Sequence, residues 1–350
     1  MPGMLGERDD LAVLGRPWVA LGGDRPVSAS APRSEQPPLP AFRRLLRGGA
    51  DQFAHPAERD FARLLSFYGI RWSYEPTTFA IEWTPDGRPC GSFTPDFYLP
   101  GHGMYVELTT MRQPLVTRKN RKLRRLRALY PNVRVKLLYK RDLQRLHLAY
   151  PRQGEEEPPE QAGQVLFSAG EIHTRLCSLV ERVADEWGDF GRGAEAPVVL
   201  AVGRGSDRTA TVIAERFGRI GLAVEAERLD IARYRGREAT TRIRLGGQSI
   251  ASLLGKQVLV VEDVVSSGLS LGAVGSWLEG RGVAEWRACA LLDRRDARLI
   301  EVPIEWVAFP APDDLLVGFG LALRRQYSGL THIARLERAP SMGSPGQGLR

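Results

Sequence analysis

The chain has 350 residues, of which 43% are hydrophobic and 26% charged, and its net charge is +8. This composition is that of a soluble globular protein, and the length suggests two domains. No apolar run is long enough to span a bilayer, and the amino terminus does not resemble a secretory signal, so we expect a cytoplasmic location and no membrane contact. Cys90, Cys177 and Cys289 lie far apart in the sequence. Their spacing argues against a disulfide framework and a thiolate zinc site.

Changes in composition divide the chain into five segments. Residues 1–50 and 339–350 are rich in Pro, Gly and Ser, and we expect them to be mobile tails. Residues 151–163, PRQGEEEPPEQAG, have the composition of an interdomain linker. Two regions with regular apolar patterns remain, 51–150 and 164–338, and each is expected to form a domain.

The first region begins with a segment whose apolar residues fall at helical spacing, HPAERDFARLLSFYGI. Three short strand-like runs follow, then a basic helix over 118–128 and a last strand, VRVKLLYK. The predicted order is therefore α, three β, α, β. The basic helix is suited to contact nucleic-acid phosphates, although a charge run is also typical of a solvated helix face.

The second region begins with a helix, EIHTRLCSLVERVADEW, and then alternates apolar runs with amphipathic helices. The runs PVVLAVG, LAVEAERLD, QVLVVED and ACALLDR are typical of buried parallel strands. The pattern predicts an α/β domain with a doubly wound parallel sheet, in which ligands bind beyond the carboxyl ends of the strands.

Residues 258–271, VLVVEDVVSSGLSL, are the most informative stretch of this region. We expect Glu262 and Asp263 at the end of a buried strand, where carboxylates suit ribose hydroxyls and a hard cation. A loop at a helix amino terminus follows, with amides and hydroxyls suited to a phosphate. The loop consists of Ser266, Ser267, Gly268, Leu269 and Ser270. An ordinary strand, turn and helix with solvated acids would fit the same residues.

The stretch resembles the phosphoribosyl pyrophosphate motif of type I phosphoribosyltransferases, and its surroundings resemble the hypoxanthine-guanine phosphoribosyltransferase family over about 171–337. LAVGRGSD is similar to the family's pyrophosphate loop, which implies that Arg204 and Gly205 contact pyrophosphate. ALLDRRDAR is similar to the segment whose basic residue, here Arg294, faces the purine 6-position.

A further segment, IEWVAFPAPDDLLVGFGL, resembles the purine-binding strand and the hood of that family. The resemblance implies that Trp306 stacks on the base, that the Val307 backbone contacts its edge and that Asp313 reaches a magnesium ion. It also implies a homo-oligomer that transfers a ribosyl phosphate from phosphoribosyl pyrophosphate to a 6-oxopurine. Mg²⁺ would be held by Asp313 together with Glu262 and Asp263.

Three departures from the family pattern affect turnover. Ser266 stands where the family has an aspartate that accepts the purine N7 proton, and a serine has no useful basicity near neutral pH. Ser328 replaces an arginine for pyrophosphate, although Arg324 and Arg325 are near in sequence. Arg233 and Tyr234 replace the Ser-Tyr pair of the flexible loop. We therefore expect weakened turnover, and the alternative is a nucleotide sensor that regulates the first domain or a nucleic-acid-processing partner.

The first region resembles the PD-(D/E)XK restriction-endonuclease fold over about 55–147. Asp96 in FTPDFYLP, Glu107 in YVELTT and Glu58 on the preceding helix would supply oxygen ligands for Mg²⁺. Thr109 replaces the family's lysine, and Lys119 or Lys122 on the following helix can substitute for it only by reaching in from the other side. We expect weak nucleic-acid binding with slow or no cleavage. The other two interpretations are a retained fold with a dead site, and a nuclease that the second domain controls.

Overall fold

A computed structural model describes residues 53–109, 113–140, 142–143, 160–192, 195–231, 245–246, 253–321 and 326–338. Both predicted tails, most of the predicted linker, the 233–234 pair and the 324–325 arginine pair lie outside these residues. The contacts divide the chain into two compact units, with the main boundary between Ala149 and Tyr150. In the described ranges no helix is long and apolar enough to cross a membrane.

The described elements of the first unit are, in chain order, α1 (Pro56–Phe67), β1 (Ser73–Tyr74), β2 (Phe79–Trp83), β3 (Pro89–Phe93), β4 (Phe97–Leu99), β5 (Met104–Thr109), α2 (Gln113–Leu129) and β6 (Arg134–Tyr139). Helix α1 begins at a capping box, in which the His55 side chain accepts from the Ala57 N–H and Glu58 accepts from the His55 N–H. Its buried face is apolar, so the periodicity of the sequence predicted it correctly.

Five short strands occupy the stretch where three were predicted. Strands β1, β4, β5 and β6 form one sheet in the order β1-β4-β5-β6, while β2 and β3 form a separate hairpin. Pro76 and Pro95 interrupt two of the predicted runs, since proline has no N–H to donate to a sheet. Glu75 adds a positive φ of 41° at the first break. The parallel pair β5 and β6 is connected through α2.

The described elements of the second unit are β7 (Glu160–Phe167), α3 (Ala169–Glu186), β8 (Val198–Val202), α4 (Asp207–Arg219), β9 (Glu225–Ile231), β10 (Leu245–Gly246), β11 (Gln257–Val265), α5 (Leu269–Glu279), β12 (Glu285–Asp293), β13 (Trp306–Pro310), β14 (Leu316–Val317) and β15 (Ile333–Arg338). The main sheet has the order β10-β9-β8-β11-β12-β13. Its strands β9, β8, β11, β12 and β13 are parallel, and apolar side chains cover both faces.

The strand order places a topological switch point between β8 and β11. From β8 the chain crosses to β9 on one side, and from β11 it crosses to β12 on the other. The two connections leave a crevice beyond the carboxyl ends of β8 and β11, where doubly wound sheets bind their ligands. The predicted α/β parallel sheet is therefore confirmed.

A second, three-stranded sheet of order β14-β15-β7 belongs to the same unit. Strand β7 begins at Glu160, so the last four residues of the predicted 151–163 linker are part of a strand. It pairs antiparallel with β15, from Ile333 opposite Phe167 to Arg338 opposite Glu160. The local composition of residues 160–163 does not reveal this strand, because β15, the strand with which it pairs, lies far along the chain.

Candidate functional site

The acidic pair of the second unit lies near the carboxyl end of β11. The strand continues to Val265, but its pairing with β8 stops at Val261 because β8 ends at Val202. Glu262 and Asp263 follow immediately and are only 2% and 6% exposed. The predicted place at the end of a buried strand is therefore close to the observed one, although the strand runs two residues further, to Val265. Both carboxylates lie at the ligand-binding end of the sheet.

Gly205 brings three segments of this site together. It lies in a short 3-10 turn, Arg204–Ser206, directly after β8. A Cβ at this position would overlap Oδ2 of Asp263, so the turn lies directly against the acidic pair. Gly320, with a φ of +98°, is packed so closely that its own Cβ would overlap the Gly205 carbonyl oxygen. The predicted pyrophosphate loop therefore contacts both β11 and the segment before β15.

The predicted phosphate loop, residues 266–270, leads into α5. Gly268 is the N-cap residue in the left-handed conformation, with a φ of +84°, and no side chain caps the helix. The Leu269 N–H donates to the Ser267 hydroxyl at 3.3 Å. The next amides of the first helical turn have no acceptor within the helix, as at any helix amino terminus. Such a terminus, with small side chains around it, suits a phosphate group.

Arg294 connects the end of β12 to the segment between β13 and β14. Its main-chain N–H donates to the Val265 carbonyl at 2.9 Å, and its guanidinium donates to the carbonyl of Asp314. The Asp314 carboxylate is in turn ion-paired with Arg335 at 2.9 Å. Arg294 is thus held beside the end of β11, a position compatible with the predicted contact to a purine 6-oxygen.

Trp306 does not lie where the predicted stacking on a base requires. It is the first residue of β13 and 1% exposed, with its ring 6.1 Å from that of Trp187. Its indole N–H donates to Glu186 Oε2 at 2.8 Å. The ring belongs to the core between the sheet and α3, so the expected stacking role is contradicted. Val307 follows it in the strand, paired with Ala290, and its backbone contact to a base stays a prediction.

Asp313 does not join the acidic pair of β11. It is exposed, in the connection between β13 and β14. Among the residues that the structure describes, no group of three or more His, Cys, Asp or Glu side chains is placed to hold a metal. Glu262 and Asp263 nevertheless fit a magnesium ion that takes its other ligands from water and substrate phosphates, as Mg²⁺ commonly does.

Sequence reasoning did not single out Arg298 or Gly320. Arg298 is a buried cation, 7% exposed, and is ion-paired with Asp293 at the end of β12. Arginine is usually exposed, and nothing in the neighbouring sequence indicates that this one is buried. Gly320 is one of two glycines in VGFG, and its positive φ together with the close approach of Gly205 explains why a side chain is excluded there.

In the first unit, Asp96 lies directly before β4, beside Glu107 of the neighbouring strand β5. The Asp96 N–H donates to Glu107 Oε2 at 3.2 Å, and the Leu108 N–H donates to Asp96 Oδ2 at 2.6 Å. The two acidic residues are 8% and 2% exposed. The structure therefore brings together the two carboxylates that the sequence selected.

Lys119 contacts the acidic pair from α2. Its ammonium group is ion-paired with Glu107 Oε1 and donates to the Leu108 carbonyl at 2.8 Å. Lys122 points elsewhere and donates to the Ser92 carbonyl at 3.1 Å. Of the two lysines considered from the sequence, α2 therefore brings Lys119 to the acidic pair and Lys122 to the β3 hairpin.

Burial makes the acidic pair hard to ionise. Burial and the neighbouring Glu107 raise the pKa of Asp96 to about 7, and burial likewise raises the pKa of Glu107 against the opposing effect of Lys119. Glu58 accepts a hydrogen bond from the Tyr74 hydroxyl at 2.8 Å, and its charge adds to both shifts. The charge of Glu58 thus affects both Asp96 and Glu107. In the described part of the chain, however, the three carboxylates do not form a cluster that could hold a metal.

Comparison with known proteins identifies relatives of the second unit. The phosphoribosyl transferase domain model matches residues 171–310. The chain is 31% identical over 174 residues to the hypoxanthine phosphoribosyltransferase of Haemophilus influenzae. The aligned region covers 49% of this chain and 94% of that protein.

Two further relatives match the same half of the chain. The hypoxanthine-guanine phosphoribosyltransferase of Mycobacterium avium is 30% identical over 189 residues, covering 53% of this chain and 92% of that protein. A solved hypoxanthine phosphoribosyltransferase of Trypanosoma cruzi is 28% identical, with a TM-score of 0.47, and the match covers 50% of this chain and 96% of that one. Through its carboxy-terminal half, the chain belongs to the hypoxanthine-guanine family of purine phosphoribosyltransferases.

Proposed function

We propose that the second unit transfers the ribosyl 5-phosphate group of phosphoribosyl pyrophosphate to a 6-oxopurine such as hypoxanthine or guanine. In this reaction the base nitrogen attacks C1 of the ribose and pyrophosphate leaves. The observation that carries the proposal is the packing of Gly205 against Asp263 at the switch point. It joins a loop suited to pyrophosphate with carboxylates suited to ribose, beside the amino terminus of α5.

Different parts of the proposed site bind different parts of the two substrates. The amides of residues 266–270 bind the 5-phosphate, and Glu262 and Asp263 hold the ribose hydroxyls. The Arg204–Ser206 turn binds the pyrophosphate, and Arg204 balances the charge that develops on it as it leaves. Arg294 donates to the 6-oxygen of the base, which favours oxo over amino purines because an amino group cannot accept that bond.

The proposed cofactor is Mg²⁺, which would neutralise the pyrophosphate charge and orient the leaving group. Its protein ligands would be Glu262 and Asp263. Their burial leaves little water to compete with a cation, and two adjacent carboxylates repel each other unless a positive charge lies between them. Asp313 is not included, since it lies apart from the pair.

Ser266 is the reason to propose a slow enzyme. A hydroxyl cannot act as a general base near neutral pH, so the proton from the purine must pass to water. The alternative is that the domain senses a nucleotide and has regulation as its main role. The hydrogen bond that holds Arg294 to the Asp314 carbonyl favours the enzyme, because it positions a residue assigned to the purine, and a sensor of ribose phosphate alone needs no purine contact.

The test is a spectrophotometric assay of hypoxanthine and guanine with phosphoribosyl pyrophosphate and Mg²⁺. The matched variant is Glu262→Gln with Asp263→Asn, which keeps size and hydrogen bonding but removes both charges. We expect nucleotide formation in the wild type and none in the variant. Ligand-induced stabilisation without turnover in the wild type would instead support the sensor.

For the first unit we propose a second function, metal-dependent hydrolysis of nucleic-acid phosphodiesters. It is supported by the ion pair between Lys119 and Glu107 beside the buried Asp96, which gives the site two carboxylates and a cation. Exposed arginines on the same helix, including Arg118, Arg121 and Arg124, are suited to bind the nucleic-acid backbone. Cleavage of labelled single- and double-stranded oligonucleotides, with Mg²⁺ or Mn²⁺ and with Asp96→Asn as control, tests the proposal.

A further inference from the structure

The phosphate loop, residues 266–270, is braced by the segment that follows β12. The main-chain N–H groups of Leu299 and Ile300 both donate to the Ser267 carbonyl, at 2.9 and 3.1 Å. One carbonyl oxygen with two donors has both of its lone pairs engaged. The peptide group that precedes Gly268 is thereby fixed in orientation.

Gly268 leaves no room between the loop and this brace, residues 298–300. A Cβ at Gly268 would lie 2.5 Å from the Ile300 carbonyl oxygen and 3.2 Å from Cδ of Arg298. The loop backbone is thus in direct contact with the aliphatic stem of Arg298. Because packed groups of this kind move together, a shift of the brace displaces the loop and the first amides of α5.

Arg298 is the residue that ties the brace to the sheet. It follows a single 3-10 turn, Arg295–Ala297, and its guanidinium is ion-paired with Asp293, the last residue of β12. The arginine side chain is 7% exposed and the aspartate side chain 16%. Burial lowers the pKa of Arg298, and the charge of Asp293 opposes that effect. Buried ion pairs often add little stability, because both charges are desolvated. This one nevertheless holds the Arg298 guanidinium against the last residue of β12.

We propose that Arg298 is a positioning residue for phosphate binding. Its ion pair with Asp293 closes the turn after β12, and the closed turn presses residues 298–300 against Ser267 and Gly268. The effect reaches the substrate only through the direction of the loop amides. It concerns the 5-phosphate of the ribose and not the purine, and it rests on the transferase function proposed above.

The main experiment compares steady-state constants of Arg298→Met, Arg298→Lys and Asp293→Asn in the full chain. We expect Arg298→Met to raise KM for phosphoribosyl pyrophosphate roughly 10- to 100-fold, as misplacement of a binding group does, with KM for the purine little changed. Arg298→Lys keeps a cation and should recover part of the loss. The matched control is Arg295→Met, an exposed arginine of the same turn, which should behave as the wild type.

A binding measurement separates this inference from the transferase function. Calorimetry with ribose 5-phosphate requires no turnover, and we expect the Arg298→Met and Asp293→Asn variants to bind it more weakly than the wild type and Arg295→Met. If the wild type binds ribose 5-phosphate but transfers nothing, the transferase function fails, and the weaker binding of the variants still supports the role of Arg298.

Three results would overturn the inference. They are unchanged affinity for ribose 5-phosphate in the Arg298 variants, equal increases of KM for both substrates, and no binding of ribose 5-phosphate by the wild type. Where Arg298→Met does not fold, Arg298→Lys and Asp293→Asn carry the same comparison.

Discussion

The Cα of Gly205 lies against the carboxylate of Asp263, so that a methyl group on the glycine would overlap Oδ2. This contact joins the loop after β8 to the strand that carries the acidic pair. Any side chain larger than hydrogen at position 205 must displace the turn or the carboxylate. Two parts of the site that lie far apart in sequence are thus packed directly against each other.

Replacing Gly205 by alanine should lower the rate of transfer roughly 100-fold. The new methyl forces either the turn or the Asp263 carboxylate away from its position, and misplacement of about 1 Å can cost roughly 100-fold in rate. Nucleotide formation from hypoxanthine measures the effect. The matched control is Gly218→Ala on α4, where a Cβ meets nothing within 4 Å and alanine is the better helix former. Wild-type activity of the Gly205 variant would show that the contact does not matter.

Replacing Ser266 by aspartate should raise turnover. A correctly placed general base contributes about 100- to 10,000-fold, and the serine hydroxyl contributes nothing of this kind. Ser266→Asn has nearly the same shape without basicity and serves as the control. The pH dependence of kcat should show a new ionisation in the aspartate variant alone. If both variants have the same kcat, water or another group accepts the proton.

Replacing Trp306 by phenylalanine should affect stability and leave purine binding unchanged. The substitution removes the hydrogen bond to Glu186 from a buried core residue, at a cost of about 1 kcal/mol in the free energy of unfolding. Arg294→Met, in contrast, should raise KM for the purine roughly 10-fold, because it removes a charged donor. A large increase in the purine KM of the Trp306 variant would restore the stacking role.

The sequence predicted the parallel strands of the second unit and the pair Glu262 and Asp263 because each is encoded in a few consecutive residues. Asp96 and Glu107 were selected from two separate runs, and the first unit has more strands than the sequence predicted. It misassigned Trp306 because an aromatic residue in a strand can face either the core or a ligand, and only the packing of α3 decides which. It did not find Arg298, whose partner Asp293 becomes significant only once the turn between them is known. Lys119 was one of two alternatives, and the orientation of α2 selected it.

The metal-free first unit should become less stable as pH rises toward neutral. The pKa of Asp96 is about 7 in the folded protein and about 4 in an unfolded chain, so the folded state binds the proton more tightly. The free energy of unfolding should therefore fall between about pH 4 and about pH 7 and then level off. Urea unfolding with a chelator from pH 5 to pH 8 measures this. Asp96→Asn should lack that part of the pH dependence, and an identical profile in the variant would contradict the burial of the carboxylate.

The last prediction separates the two lysines of α2. Lys119→Met removes the cation that pairs with Glu107, whereas Lys122→Met removes a cation that contacts only the β3 hairpin carbonyl in the described structure. Both variants lose one positive charge from the same helix, so the salt dependence of nucleic-acid binding should weaken by a similar small amount in each.

Metal-dependent cleavage should be lost in Lys119→Met and retained in Lys122→Met, because only Lys119 is placed to stabilise charge at the acidic pair. Equal cleavage by the two variants would remove Lys119 from the proposed site, and cleavage that also persists in Asp96→Asn would place the activity elsewhere or in a contaminant.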